Sequence, residues 1–341
     1  MSRRTLSGLS KANLPQWIWA CLPFWIGSLI WAFDGETPEW IVLALFLITV
    51  IIIQATAEIA NTYIDRFEDR IYVPSNPLVT GELSEDTAKK ALILENITAG
   101  LLLLVLLLVT LNYFLIIAMA VAWLTGLAYS LPPFKFKETI AGPFSFALTT
   151  ALIPIAACLL VGPLNSFMLA FAAFIFVGTF GANISTGQLR KTAEAFTHGL
   201  IKVENGESIC NIKTIGLRVK FKTAMALEAI AGLAAFILVA VFWHLDIFPV
   251  VLSLALLGLS LPFTLLTVLF RIKSRIGNAQ KCVGFAGVAA LLATLSFFSV
   301  ALTNVLDWHW GYAIIASIGF LTVFGLLCKQ IHPFGPVRQA T

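Results

Sequence analysis

The chain has 341 residues, of which 59% are hydrophobic and only 12% are charged; its mean hydropathy is +0.92 and its net charge is +4. A soluble domain carries about a quarter charged residues, so this composition excludes an ordinary water-soluble globular protein. We predict a single integral membrane domain over residues 1–341 that lies in the lipid bilayer and binds no nucleic acid.

The apolar segments predict an all-α, polytopic bundle of membrane-spanning helices, each of which needs about 20 mostly apolar residues. No cleavage site of the A-x-A type follows the basic N-terminal stretch, so we expect the first segment to remain as a helix. In chain order the predicted spans are 16–33, 39–63, 93–111, 113–131, 141–161, 165–187, 223–243, 247–270, 281–303 and 309–328. This gives ten spans, or nine, because almost no loop separates the two spans around Asn112 and the last span is only moderately apolar.

The loop charges orient these spans. With the N-terminus inside, all 22 Lys and Arg residues fall on the inside, whereas the opposite loops carry acidic residues and no Lys or Arg. Such a bias marks the cytoplasmic side of a membrane protein. We therefore expect the N-terminus in the cytoplasm, together with an active site in the two long polar inside loops, 64–92 and 188–222.

A carboxylate cluster stands where the second predicted span leaves the membrane. Asn61, Asp65 and Asp69 recur at four-residue spacing, so a helix that continued to about residue 70 would place them on one face. Like charges at this spacing repel, and the membrane edge adds a desolvation cost. A divalent cation offsets that cost, and these oxygen ligands suit Mg²⁺. The alternative is a solvated helix end in which Arg66 and Arg70 pair with Asp69 and Asp65.

The stretch "NTYIDRFEDRIYVPSNPLVTGELS" resembles the first signature of the UbiA superfamily of intramembrane prenyltransferases, N-D-x-x-D-x-x-x-D followed by a basic stretch and R-P-L-x-x-G. "YSLPPFKFKE" at 129–138 is similar to the family's Tyr-Ser-x-Pro-Pro-x-Lys segment. The resemblance implies a helical bundle, usually of nine spans, that uses Mg²⁺ to ionise an isoprenyl diphosphate and joins the prenyl group to an acceptor. It also implies that Asn61, Asp65 and Asp69 bind metal and diphosphate.

A basic segment follows the fourth predicted span. Pro132 and Pro133 stop the helix and leave Lys135 and Lys137 at the inner surface. One interpretation is simple anchoring by positive charge. The other, which the family resemblance favours, is a cationic clamp for diphosphate oxygens, whose charge grows as the carbon–oxygen bond breaks. Tyr129 is a further candidate, either to orient a phosphate or to line a prenyl channel.

The family's second signature, D-x-x-x-D after the sixth helix, is altered in "KVENGESICNIKTIGLR". Val203 stands in place of the first Asp, Glu207 replaces the second, and Glu204 lies one position late. The longer Glu side chains change the geometry that Mg²⁺ requires. Three positions of the first signature also differ from the family's usual Asp, Arg and Arg: Thr62, Val73 and Asn76.

The resemblance implies roles for residues of both inside loops and of the basic segment. The expected catalytic residues are Asp65, Asp69 and Lys135. The expected substrate-binding residues are Arg66, Arg70, Tyr129, Lys137 and Lys202. The expected metal ligands are Asn61, Asp65, Asp69, Glu204 and Glu207.

Three functions stay open on these grounds. The first is a Mg²⁺-dependent prenyltransferase that moves an isoprenyl group from a prenyl diphosphate to a small hydrophobic or aromatic acceptor. The second is a membrane terpene cyclase of the same fold, which the altered second signature favours. The third is a non-catalytic lipid-binding or transport protein. Transporters place polar binding groups near the middle of the membrane, and these spans are nearly free of ionisable residues.

Overall fold

The structure is a computed structural model, and it describes most of the first half of the chain and shorter stretches of the second half. The described residues are 3–13, 25–32, 39–67, 69–72, 76–139, 141–184, 203–204, 207–208, 221–250, 252–254, 256–257, 297–303, 309 and 311–319. Most of them are helical.

Eight α-helices have defined bounds in this part of the chain. They are α1 (Arg3–Asn13), α2 (Trp40–Asp65), α3 (Asp69–Tyr72), α4 (Glu85–Thr110), α5 (Tyr113–Ser130), α6 (Ala141–Val161), α7 (Ser166–Ala182) and α8 (Phe221–His244). One turn of 3₁₀-helix, Phe136–Glu138, lies between α5 and α6. Further helical residues occur at 25–32, 252–254, 256–257, 297–303 and 311–319.

The prediction of an all-α membrane bundle is confirmed. Each of the ten predicted spans contains helical residues. By length and composition, α2, α4, α5 and α6 are the four described helices that could each cross a membrane. Shorter apolar helical stretches lie in α7 and α8, at Ser166–Gly181 and Ala229–His244. The chain is therefore an integral membrane protein.

α4 begins at Glu85, whereas the apolar pattern predicts the start of this span at residue 93. Ser84 caps the helix, because its side-chain oxygen accepts a hydrogen bond from the Thr87 amide at 3.2 Å. Glu85 and Asp86 place negative charge at the positive end of the helix dipole. The first turns of α4 therefore form a polar extension of an otherwise apolar span.

The core lies where α2, α5, α6 and α7 pack together. Its fully buried side chains come from different helices and include Phe46 of α2, Leu115 of α5 and Phe171 of α7. Gly126 permits a close approach of α5 to α2, since a Cβ added there would lie 3.3 Å from the Cβ of Ala57. Small residues allow such packing in lipid, where burial of apolar surface alone gives helices little reason to associate.

Polar contacts join the helix ends on both sides of the bundle. Asn112 caps α5 by accepting from the Leu115 amide at 3.0 Å, and its own amide donates to the Leu159 carbonyl of α6 at 2.6 Å. At the other end, the Ser130 hydroxyl of α5 donates to Asn61 of α2 at 3.1 Å. The ends of α2 and α5 that follow the apolar runs therefore meet at one surface.

The N-terminal helix α1 packs against the segment that precedes α4. The Lys11 ammonium pairs with the Glu82 carboxylate at 2.7 Å. A Cβ added at Gly8 would lie 3.1 Å from the Glu82 backbone, so α1 approaches this segment closely. Ala12 and Leu83 are buried in one small apolar cluster. α1 thereby fixes the loop between α3 and α4.

A two-stranded hairpin lies in the second long polar loop. β1 (Val203–Glu204) pairs antiparallel with β2 (Glu207–Ser208), and Glu204 is the register partner of Glu207. Lys202 lies outside the described residues. This hairpin is a small addition to the predicted all-α fold.

Candidate active site

α2 ends at Asp65, and this end interrupts the predicted helical face. A helix that runs unbroken to about residue 70 would place Asp65 and Asp69 on one face, but this condition is not met, because the chain turns after Asp65 and α3 begins at Asp69. The Arg66 guanidinium donates to the Tyr63 carbonyl at 2.7 Å, an acceptor that a further turn of α2 would use. Because of this break, Asp65 and Asp69 lie on separate helices. The repulsion between like charges four residues apart on one helical face is thereby avoided.

Asp65 forms an ion pair with Lys137, and both residues are buried, with exposures of 2% and 8%. The pair joins the end of α2 to the 3₁₀ turn before α6. The Lys137 ammonium also donates to Asn61 Oδ1 at 3.3 Å, and Ser130 Oγ donates to the same oxygen at 3.1 Å. A buried carboxylate is costly unless it is paired, so the burial of Asp65 depends on this lysine.

The loop after α5 turns Lys137 inward and Lys135 outward. Lys135 has a φ of 42°, a left-handed conformation in which the chain changes direction. Its ammonium pairs with Glu138 at 3.3 Å, and the side chain stays 38% exposed. Gly142 of α6 lies against this turn, since a Cβ added there would lie 2.8 Å from the Phe136 carbonyl oxygen. Lys137 is thus the lysine that reaches the first signature, and the catalytic role of Lys135 stays a prediction.

Asp69 is bonded to Asn76, a contact that the sequence did not indicate. Asn76 Nδ2 donates to Asp69 Oδ2 at 2.7 Å and to the Thr62 carbonyl at 3.3 Å, and its Oδ1 accepts from the Leu78 amide at 2.8 Å. The family resemblance marks Asn76 only as a position where the family usually has Arg. A signal was present in the order Asn-Pro-Leu, because Asn side chains often bond to the backbone two residues later in a turn.

The two arginines of the first signature lie beside aromatic and acidic side chains. Arg66 pairs with Glu85 at 3.1 Å, and its guanidinium lies 4.5 Å from the ring centre of Tyr63 and 4.3 Å from that of Phe67. Arg70 is exposed and lies 5.6 Å from the Phe67 ring centre. This arrangement differs from the alternative in which both arginines neutralise the signature's carboxylates.

The other expected site residues lie on α5, in the hairpin of the second signature or outside the described residues. Tyr129, near the end of α5, packs against Phe146 with 6.2 Å between ring centres. Glu204 and Glu207 lie opposite each other in the hairpin of the second signature. Lys202 precedes that hairpin, outside the described residues. The roles of these residues stay predictions.

The donor set of the first signature fits a magnesium ion. Asp65 and Asp69 offer carboxylate oxygens and Asn61 offers an amide oxygen, all of them hard donors. Among the described residues, no group of three or more His, Cys, Asp and Glu side chains could hold a metal by itself. Mg²⁺ commonly binds through one or two carboxylates plus substrate phosphates. These residues therefore suit a metal that arrives with a phosphate-bearing ligand.

The fold and the cluster together define an α-helical integral membrane protein with carboxylates, an amide and a lysine at one end of the bundle. A comparison with protein families identifies the family: residues 20–285 match the UbiA prenyltransferase family, and the chain belongs to it. The match includes both the first signature and the hairpin of the second. No curated protein matches the chain.

Solved structures share this fold. A UbiA homolog from Archaeoglobus fulgidus bound to DMAPP and Mg²⁺ matches with a TM-score of 0.63 at 20% identity, over 86% of this chain and 98% of that one. The homolog bound to GPP and Mg²⁺ matches with a TM-score of 0.63 at 20% identity, over 86% and 99%. A structure from work on digeranylgeranylglyceryl phosphate synthase in membranes matches with a TM-score of 0.63 at 18% identity, over 89% and 100%. At these identities the likeness establishes the fold.

Proposed function

We propose that the protein is a Mg²⁺-dependent intramembrane prenyltransferase that transfers an isoprenyl group from a prenyl diphosphate to a small hydrophobic or aromatic acceptor. The observation that carries this proposal is the cluster of Asn61, Asp65 and Lys137, with Asp69 close by in sequence, at the end of an apolar bundle. Family membership supports it, as do the DMAPP-bound and GPP-bound structures of the Archaeoglobus fulgidus homolog.

A prenyl diphosphate matches both parts of this arrangement. Its charged head suits the cations and oxygen ligands at the surface, and its tail suits apolar surroundings deeper in the bundle. A narrow cleft between α2, α5 and α6, with a cavity volume of only about 10 Å³, is lined by apolar side chains and by Gln54, so a prenyl tail enters it only if these helices move apart. Gln54 precedes Asn61 by two helical turns, which places it about 10 Å deeper along α2. We propose that the tail follows this direction.

In the proposed reaction, the bond between prenyl C1 and the diphosphate oxygen breaks, and an acceptor carbon bonds to C1. The diphosphate leaves with the electron pair, and the acceptor carbon loses a proton. Bound Mg²⁺ supplies Lewis-acid stabilisation of the leaving diphosphate. Asn61, Asp65 and Asp69 hold the metal, while Lys137 and Lys135 stabilise the charge that develops on the leaving oxygens.

Other residues at the same surface complete the proposed site. Arg66 and Arg70 add positive charge near the diphosphate, and Tyr129 lines the entrance. In the second signature, Lys202 contacts substrate and Glu204 and Glu207 contribute metal ligands. We propose that this surface and the N-terminus face the cytoplasm, in keeping with the distribution of Lys and Arg.

Product analysis tests the proposal. Purified protein in lipid nanodiscs is incubated with labelled C10, C15 and C20 diphosphates and a mixed acceptor panel, with and without Mg²⁺. We expect a prenylated acceptor whose formation requires Mg²⁺. The rate of its formation should fall about 10²-fold or more in Asp65→Ala. Asp86→Asn is the control, because Asp86 is an exposed carboxylate of α4 that pairs with Lys90.

Two results would replace the proposal. A cyclised hydrocarbon or alcohol formed without any acceptor identifies a terpene cyclase. The absence of product, together with binding of a prenyl thiodiphosphate that neither Mg²⁺ nor Asp65→Ala alters, identifies a lipid-binding or transport protein.

A further inference from the structure

We infer that the Lys137 ammonium occupies the cation-binding position between Asn61 and Asp65, and that a divalent cation binds there only when Lys137 moves away. The inference rests on the proposed function, because it concerns the same diphosphate site. It gives Lys137 a positioning role towards the metal site, in addition to the diphosphate contact expected from the sequence.

The hydrogen bonds of Asn61 occupy the oxygen that a metal would need. An amide oxygen has two lone pairs. At Asn61 Oδ1 both are used, since Ser130 Oγ donates at 3.1 Å and Lys137 Nζ donates at 3.3 Å. A metal ion that takes this oxygen as a ligand must therefore displace one of the two donors.

Of the two donors to Asn61, Lys137 is the one that a metal ion displaces, because both the ammonium and the metal are positively charged. Its ammonium contacts the Asp65 carboxylate, and the two residues are 8% and 2% exposed. A second cation in such a buried place is repelled, and a charge within about 4–6 Å changes proton affinity by ~10- to 1000-fold in comparable sites. Ser130 carries no charge, so its hydroxyl can stay beside Asn61.

The backbone of the loop cannot withdraw to make room, because α6 packs against it. A Cβ added at Gly142 would lie 2.8 Å from the Phe136 carbonyl oxygen and 3.0 Å from the Lys137 Cα. The Thr139 amide closes the turn by donating to the Phe136 carbonyl at 2.8 Å. Lys137 therefore moves by rotation of its four-carbon side chain.

A diphosphate provides the acceptors at which the displaced ammonium comes to rest. Hydrogen bonds between an ammonium and phosphate oxygens are charge-assisted and stronger than neutral ones. Transfer of Lys137 from Asp65 to the diphosphate frees the carboxylate for the metal and offsets one negative charge of the substrate in one movement. Metal and diphosphate consequently bind together, whereas metal alone binds weakly.

Binding of Mn²⁺ alone to the purified protein without substrate, followed by electron paramagnetic resonance, tests this exclusion. Lys137→Met and Lys137→Gln remove the charge and keep most of the side-chain length. Each should bind Mn²⁺ about tenfold more tightly than the parent, or better. Adding Asp65→Asn to Lys137→Met should abolish the gain. Lys135→Met is the matched control, because Lys135 pairs with Glu138 at 3.3 Å and its loss should leave Mn²⁺ affinity unchanged.

An Mn²⁺ affinity that is unchanged or weaker in the Lys137 variants overturns the inference. So does an equal gain in Lys135→Met, because it would indicate a general effect of surface charge rather than exclusion at one subsite.

Thermal unfolding gives a second test, which does not depend on enzymatic activity. Lys137→Met removes the ammonium that pairs with buried Asp65, so without divalent ions it should unfold at a lower temperature than the parent. Mn²⁺ should raise the unfolding temperature of the variant more than that of the parent, since a ligand that binds the folded state stabilises it. Equal increments overturn the inference. If Lys137→Met does not fold, Lys137→Gln supplies the same comparison with an amide that can donate to Asp65.

Failure of the inference and failure of the proposed function give different results. A parent protein that forms prenylated product, while its Lys137 variants gain no Mn²⁺ affinity, contradicts only the inference. Variants that gain Mn²⁺ affinity in a protein that prenylates no acceptor contradict only the proposed function.

Discussion

The helices α2 and α4 are both 26 residues long and have the same mean hydropathy over their most apolar window, yet they occupy different places in the bundle. The buried share of that window is 44% in α2 and 17% in α4. α2 carries Asn61 and Asp65 at its end, whereas α4 exposes Leu101, Leu104 and Leu108. Hydropathy therefore finds both spans, but it does not tell which one is central.

Short side chains explain the central place of α2. Ala55 and Ala60 are buried on this helix, and Ala57 is the residue that Gly126 of α5 approaches. In lipid, helices associate where small residues let their backbones come close, and a surface of Leu side chains offers no such place. A central helix is held on several sides, so it can fix the side chains at its end, here Asn61 and Asp65, more firmly than a peripheral one.

The largest expected difference between the two helices is in stability. Phe46 of α2 is 0% exposed and Leu104 of α4 is 51% exposed. Phe46→Ala should lower the free energy of unfolding by about 3–5 kcal/mol, because it leaves a cavity in the core. Leu104→Ala should change it by about 0.5 kcal/mol or less. Denaturant unfolding in detergent measures both, and equal losses would contradict the assignment of α2 to the centre.

The next effect concerns the hydrogen bond that orients Asp69. Asn76→Ala removes the donor that lies 2.7 Å from Asp69 Oδ2, and residues that orient metal ligands typically contribute about 10- to 100-fold to metal affinity. We expect a loss of this size in Mg²⁺ affinity, measured by titration of activity with Mg²⁺. Asn96→Ala is the control on α4, where the Asn96 side chain donates to the Leu92 carbonyl of its own helix. A similar loss in both variants would show that Asn76 does not act through Asp69.

A smaller effect separates two helical glycines. Gly126→Ala brings a Cβ to 3.3 Å from the Cβ of Ala57, which is fixed to its backbone and cannot rotate away. Gly100→Ala in α4 meets only the edge of the Trp123 ring, at 3.8 Å. Replacing Gly by Ala within a helix gains about 0.5–1 kcal/mol, so Gly100→Ala should stabilise the protein while Gly126→Ala destabilises it. If both substitutions shift the unfolding temperature in the same direction, close packing of α5 on α2 is refuted.

The smallest expected effect lies at the polar start of α4. Lys90 pairs with Asp86 at 2.7 Å, and the two side chains are 75% and 72% exposed. Lys90→Ala should cost about 0.3–0.5 kcal/mol, and the cost should vanish in high salt because exposed charges are screened. Unfolding at low and high salt measures it. A loss that persists in high salt would show that this turn is buried against another part of the chain.

The spans are the most predictable part of the fold. The apolar pattern predicts α6 at 141–161 with its observed bounds, because a helix in lipid must be apolar along its length. The same pattern misses the start of α4, since its first turns are polar. The cap at Ser84, followed by acidic residues, is the signal that marks this start.

The site is only partly predictable. Spacing finds Asp65 and Asp69, yet it implies one helical face where the structure has two helices. Sequence also cannot decide between Lys135 and Lys137. That choice depends on a left-handed residue at Lys135 and on the contact of Gly142 with the turn, both of which arise from tertiary packing.

The ion pair between Asp65 and Lys137 joins residues 72 positions apart in the chain. A ribosome adds about 5–20 residues per second, so roughly 4–14 s separate the synthesis of the two charges. Throughout that interval α2 is made but its terminal carboxylate lacks the Lys137 ammonium, so water must solvate it at the edge of the bilayer. Burial of Asp65 is therefore a late event in biogenesis. A nascent chain that stops before Lys137 therefore keeps a hydrated, acidic end of α2 that the finished protein buries.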